Sequence, residues 1–243
     1  MLVFKTNMEV KNEKFKNIII RVLAVVTVIL HFSDVYVSFF TTGTADVGSE
    51  HLLPIYPCHI LMWLLLICAF LKNRNNKAAK VLQEFTFFAG IVCGSLGILF
   101  NERFDSHPTL TDWNTLKGLL SHSTLIMGCI YLLVARFIKI RVSNTISVFL
   151  GLCLFLVDGY IINGLYKVFG LGECNSMYLQ KPPLEGLEWF STWFMGMLGI
   201  AIVFIITVLY EWLALKKEDR WYVILKNKIN DLKNKKKKGV EDE

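Results

Sequence analysis

A cysteine and a histidine stand side by side at the head of an apolar stretch, where HLLPIYPCHI, residues 51–60, runs into LMWLLLICAF. A thiol works as a nucleophile once its proton is easily lost, and a helix N-terminus and a neighbouring imidazole both favour that loss. Pro54 and Pro57 put the start of a regular helix at this point, because proline is tolerated in a first turn and disrupts later ones. Cys58 is therefore expected at the positive end of a helix dipole. The plain alternative is a small buried residue filling a helix contact. A further histidine, His122, stands in LLSHST at 119–124.

Further ionisable groups lie within apolar stretches, where an unpaired charge costs several kcal/mol and so marks a candidate site. His31 and Asp34 are three residues apart and share a helix face. Counting 1.5 Å per residue from the ends of the apolar stretches puts Cys58 and His59 about 9 to 11 Å below one membrane surface. His31, Asp34, His122, Asp158 and Asn163 fall in the same layer. Asp34 is placed to polarise His31, and Asp158 to orient His122. Single intramembrane groups of this kind also serve as interhelical hydrogen-bond partners. The histidines and aspartates are metal-ligand types, but no H-E-x-x-H or C-x-x-C spacing accompanies them, so no metal and no cofactor is expected.

The elements that must position these groups follow from composition. With 54% hydrophobic and 19% charged residues, the 243-residue chain is too apolar for a water-soluble domain. Six stretches are long enough to cross a bilayer, at 18–40, 52–71, 82–100, 116–135, 146–166 and 190–213. The first carries Arg21, His31 and Asp34 and has no small-residue cleavage site, so it reads as a span and not as a signal peptide. Basic residues gather before the first stretch and in alternate connections (Lys72, Arg74, Lys77, Lys80; then Arg136, Lys139, Arg141). The other connections hold Asp46, Glu50, Glu102, Asp105, Asp112, Glu173, Glu185 and Glu188. This asymmetry predicts an all-α, polytopic bundle of six transmembrane helices with both termini in the cytoplasm.

Three regions are expected: a basic N-terminus at 1–17, the bundle at 18–213 and a basic amphipathic tail at 214–243. In the tail Trp221, Ile224, Leu225, Ile229 and Leu232 recur at helical spacing among lysines, ahead of a disordered end. Five of the six cysteines lie inside the stretches and only Cys174 in an outward loop, so no disulfide framework is implied. Phosphate loops and nucleic-acid modules are absent.

Three segments in this order, LPIYPCHI (53–60), SHS (121–123) and NSMYLQKPP (175–183), resemble the YwaF-like membrane proteins of bacteria and their eukaryotic relative, transmembrane protein 164. The family's patterns are L-P-x-H-x-C, S-H-G and N-Y-x-F-L-x-x-K-P-P. Here Tyr56 stands at the histidine of the first pattern, Pro57 is an added proline, and Ser123 replaces the glycine of the second. The resemblance implies a lipid enzyme of the cell membrane that moves acyl chains between phospholipid and lysophospholipid through a cysteine thioester. Cys58 would then be the nucleophile and His122 the base, while Asn175, Tyr178 and Lys181 would belong to a loop closing the site. A transporter or small-molecule binding protein, using Asp34 and Asp158 for ion coupling, is the alternative from a different class, and a scaffold without ligand chemistry is a third.

Overall fold

The computed structural model describes residues 13–44, 53–100, 109, 111–183 and 186–241, with side chains through 231. These residues are all-α and contain no strand. Seven helices follow one another: α1 Glu13–Thr42, α2 Pro57–Phe70, α3 Lys77–Leu99, α4 Trp113–Val134, α5 Asn144–Phe169, α6 Thr192–Ala214 and α7 Trp221–Glu241, with 3₁₀ turns at Ser176–Tyr178 and Lys217–Asp219. Five of them (α1, α3, α4, α5 and α6) are long and apolar enough to cross a membrane. The acidic and basic residues at 1–12, 45–52 and 101–108, Arg103 among them, lie outside the described residues.

Helix α2 is the exception in length. Its 14 residues rise only about 21 Å against a hydrocarbon thickness of about 30 Å. The apolar stretch 52–71 is thus not one helix. Leu53–Tyr56 precede it without helical structure, Tyr56 takes the N-cap position in an extended conformation, and Pro57 opens the first turn. Proline at that position has no N–H to waste and a φ already suited to the helix.

Helix α4 packs on α1 and α3; α2 lies against α1, α3 and α4; α5 joins α3 to α6. The close approach of α3 to α4 comes from glycines on one face of α3. A Cβ at Gly90, Gly94 or Gly97 would meet Cys129, Ile126 and His122 at 2.2, 2.6 and 2.3 Å. Small residues that let backbones approach are a principal source of helix association in lipid, where burial of apolar surface gives little net drive. The core formed this way includes Leu61, Leu65, Phe85, Leu125, Cys129, Leu132 and Phe155.

At the opposite end from Cys58, Arg74 closes α2. Its guanidinium donates to the carbonyls of Cys68 and Ala69 at 2.7 and 3.2 Å, to Gln83 Oε1 at 3.1 Å and to Asn17 Oδ1 at 3.0 Å, and it stacks over Phe137. These bonds satisfy carbonyls that a helix end leaves open. Burial lowers the Arg74 pKa from its ordinary value. The tail is helical from Trp221 through Glu241, so the run Lys235–Lys238 continues α7, where the sequence led to the expectation of a disordered end.

Candidate functional site

Helix α1 carries Thr27, His31, Asp34, Ser38 and Thr41 at alternating intervals of four and three, which sets them in one stripe. Helix α4 answers with Asn114, Lys117, Ser121 and His122. Between the stripes lies a cavity of about 430 Å³, lined also by Cys58, His59, Met62 and Trp113. Thr27 donates to Thr124 at 3.1 Å near its inner end, and Trp113 Nε1 donates to Ser33 at 3.2 Å near the other.

Cys58 is half-buried, one residue into α2, and its sulfur faces the backbone N–H groups of Cys58 and His59. The His59 N–H also donates to Tyr56 O at 3.0 Å. Cys58 N–H sits where a helix has no preceding carbonyl of its own to bond. His122 lines the same cavity, and its Nδ1 is 2.7 Å from Gly118 O. A carbonyl can only accept, so Nδ1 carries the proton and Nε2 holds a lone pair. The ring rests over Gly97 of α3, with Nε2 and Cδ2 where a Cβ would have to go.

The remaining residues of the expected polar layer divide. His31 and His59 line the cavity with ring centroids 4.6 Å apart, and Asp34 lines it too. The proposed partnership of Asp158 with His122 is not made: His122 Nδ1 bonds Gly118 O, and Asp158 is outside the cavity lining. Asp158 Oδ2 is buried on α5 without a hydrogen-bond partner. Asn163 is also outside the cavity; it accepts from Ser176 N at 2.8 Å and donates to Ser176 O at 3.3 Å. Both α5 members of the expected layer thus lie outside the cavity, and Asn163 faces the loop.

That loop reaches the site indirectly. Ser176 Oγ and Met177 N both donate to Ile55 O, at 3.0 and 2.9 Å, which ties the 3₁₀ turn to the segment just before α2. Met177 and Tyr178 take φ values of 53° and 54°, the left-handed region that non-glycine residues seldom enter. The turn presents Tyr178 to Tyr56 with ring centroids 5.8 Å apart, and Tyr56 stands edge-on to His59 at 5.3 Å. Tyr56, at the position where the family pattern has histidine, thus links the loop to the cavity histidines. Asn175 holds the loop's own turn, accepting from Gln180 N and Lys181 N and donating to Lys181 O. Lys181 is exposed and pairs with Glu173 at 3.2 Å. Cys174 is buried near Ile55, Ile162 and Tyr166, and burial raises its thiol pKa.

Lys117 was missed at the sequence level. Its ammonium donates to Asp34 Oδ2 at 2.6 Å, and each side chain is 18% exposed. With the fourth apolar stretch read from residue 116, Lys117 stands at its edge and outside the expected polar layer. The signal that corrects this is Asp112, whose Oδ2 accepts from Thr115 N at 2.8 Å and from Thr115 Oγ1 at 2.9 Å. This N-cap starts the helix at Trp113 and puts Lys117 in its second turn, on the face of Ser121. Gly97, which seats the His122 ring, could not be found without the packing.

Among the described residues, no three His, Cys, Asp or Glu side chains stand close enough to hold a metal ion. The arrangement offers a thiol at a helix N-terminus, an imidazole with a basic nitrogen, two further imidazoles and one ion pair around a single cavity. No curated protein and no solved structure matches the chain. The TMEM164 family model matches residues 1–211, which span α1 to the last turn of α6, and the chain belongs to the TMEM164 family.

Proposed function

We propose that this protein is an integral-membrane phospholipid acyltransferase or acyl hydrolase that carries the acyl chain on Cys58. The observation that carries the reading is the shared cavity: Cys58, in the first turn of a half-length helix, and His122, with its proton held on Nδ1, line the same space.

The chemistry follows from those groups. His122 Nε2 takes the Cys58 proton as sulfur attacks the ester carbonyl of a phospholipid. The carbon–oxygen bond breaks, the proton passes from His122 to the departing lysophospholipid oxygen, and a thioester remains. Backbone N–H at the start of α2 serves as donor for the oxyanion, with the helix dipole behind it. A lysophospholipid hydroxyl, or water, then attacks the thioester; His122 accepts that proton and returns it to sulfur. Asn163 is engaged with Ser176 and has no part in this scheme.

In this reading the chain crosses the cell membrane six times with both termini in the cytoplasm. Leu53–Tyr56 and α2 together make the second crossing, and irregular backbone at that depth is tolerated because Ser176 and Met177 satisfy Ile55 O. The basic connections at 72–80 and 136–141 face inward, and the cavity opens toward the outer leaflet. The loop that carries Asn175, Tyr178 and Lys181 closes the site: Asn175 shapes its turn and Tyr178 packs on Tyr56 at the start of α2.

The discontinuous start of α2 also favours a second reading, since transporters place substrate at such helix ends. One experiment separates the two. Detergent-solubilised protein is mixed with a panel of phospholipids, and intact masses are recorded before and after hydroxylamine, with Cys58→Ser and His122→Ala alongside. A hydroxylamine-labile acyl mass on the wild type, absent from Cys58→Ser, is expected. A folded preparation that takes no acyl mass from any lipid would replace the enzyme reading with binding or transport.

A further inference from the structure

The Asp34–Lys117 pair is not explained by acyl transfer. Both side chains are mostly removed from solvent, yet they project into a cavity and not into packed core. Burying two charges together is costly and brings little stability over apolar packing. A lysine ammonium offers three donors, and one of those of Lys117 goes to Asp34. Among the described residues, the other ionisable groups facing the cavity are His31, Cys58, His59 and His122, so of these residues the pair supplies the permanent charges, one of each sign.

We propose that this pair reads a zwitterionic lipid head group, Lys117 taking the phosphodiester and Asp34 the ammonium. The inference rests on the lipid-transfer reading of the Cys58 site. A ligand bearing both charges a few atoms apart can insert so that each charge gains an opposite partner. An anionic head group brings its phosphate to Lys117 but leaves Asp34 facing a like charge, and rejection by like-charge juxtaposition is an efficient source of selectivity.

The spacing along the helices agrees. Lys117 precedes His122 by five residues, about 7.5 Å of axial rise, and Asp34 follows His31 by three, about 4.5 Å. The charge pair therefore stands about one helical turn outward of the imidazoles. A glycerophospholipid has the same order: charged head group outermost, then glycerol, then the ester carbonyl that the thiol must reach. Trp113 lines the cavity one turn beyond Lys117, and an indole is the best aromatic partner for a substituted ammonium.

The test measures binding apart from chemistry. Cys58→Ser protein, which cannot form the thioester, is purified in detergent with equal amounts of phosphatidylcholine, phosphatidylethanolamine and phosphatidylglycerol, and retained lipid is quantified by native mass spectrometry. Preferential retention of the two zwitterionic lipids is expected. Asp34→Asn should shift the ratio of phosphatidylglycerol to phosphatidylcholine at least tenfold toward the anionic lipid. The double variant Asp34→Asn/Lys117→Gln removes both charges of the pair together, so neither is left facing an uncharged partner, and it should lose the discrimination. A ratio unchanged within twofold in the double variant would overturn the proposal. Selective retention by the Cys58→Ser protein, together with a wild type that takes no hydroxylamine-labile acyl mass from any lipid, would sustain the head-group site while removing the acyl-transfer reading, so the two failures are distinct.

Discussion

A single hydrogen at Gly97 determines where the His122 ring can lie. A methyl group there would stand 2.3 Å from Nε2 and 2.4 Å from Cδ2, distances no packing tolerates. The ring must swing away and forfeit its bond to Gly118 O, its place over α3, or both. Gly97→Ala gains up to about 1 kcal/mol of helix propensity, set against about 1 to 3 kcal/mol of overpacking, so the fold survives with a modest change in melting temperature. Acyl transfer should not survive so well. Displacing a catalytic group by about 1 Å can cost on the order of 10²-fold, and that loss is expected in the rate of thioester formation. Gly164→Ala and Gly199→Ala, where an added Cβ meets nothing within 4 Å, are the matched controls and should leave the rate unchanged. Full activity in Gly97→Ala would mean that His122 is not the base.

At the scale of elements, α2 is a short helix fastened at both ends, and its fastenings explain what was and was not legible beforehand. The start at Pro57 could be read from the prolines. Its shortness could not, because hydropathy does not distinguish an apolar helix from an apolar extended segment such as Leu53–Tyr56. At the C-terminal end, Arg74→Lys keeps a charge but loses the fork that reaches Cys68 O, Ala69 O and Gln83 together. A thermal-unfolding series in detergent should show a loss of about 2 to 3 kcal/mol for Arg74→Lys, approaching Arg74→Ala. At the N-terminal end, Asn163 brackets the backbone of fully buried Ser176 and so holds Met177 and Tyr178 in left-handed conformations that cost about 1 to 3 kcal/mol each. Removing the bracket in Asn163→Ala strands the Ser176 N–H, at about 1 to 3 kcal/mol. Limited proteolysis between residues 174 and 183 should become faster, and thioester formation slower, although Asn163 does not line the cavity. Asn163→Asp keeps the acceptor for Ser176 N–H and should recover part of both. Equal proteolysis rates in all three proteins would remove the loop from any role in holding α2.

For the molecule as a whole, the sequence carries an expectation of position along each helix and almost none of position around its axis. Apolar length and charged ends set the first; the second depends on glycine faces such as Gly90, Gly94 and Gly97, whose partners are visible only once α3 meets α4. Hence His31, Asp34, Cys58, His59 and His122 converge on one cavity while Asp158 and Asn163, at the same expected depth, lie outside it, Asn163 against the loop. The axial argument still has a consequence of its own, because the C-terminal end of α1, the N-terminal ends of α2 and α4 and the C-terminal end of α5 must share one face. Thr44 and Glu173, both exposed, belong to that face; Asn75, exposed between α2 and α3, belongs to the other. In intact cells a membrane-impermeant maleimide should modify Thr44→Cys and Glu173→Cys, while Asn75→Cys should react only after permeabilisation. Buried Cys174 should contribute little background, since burial keeps its thiol protonated. Reversed accessibility would turn the mouth of the cavity toward the cytoplasm, so that the lipid reaching Cys58 would come from the inner leaflet and the basic connections would lie outside. The same exchange of faces would leave every distance within the cavity as it is, so a labelling result of that kind would redirect the substrate's origin without touching the chemistry proposed for Cys58 and His122.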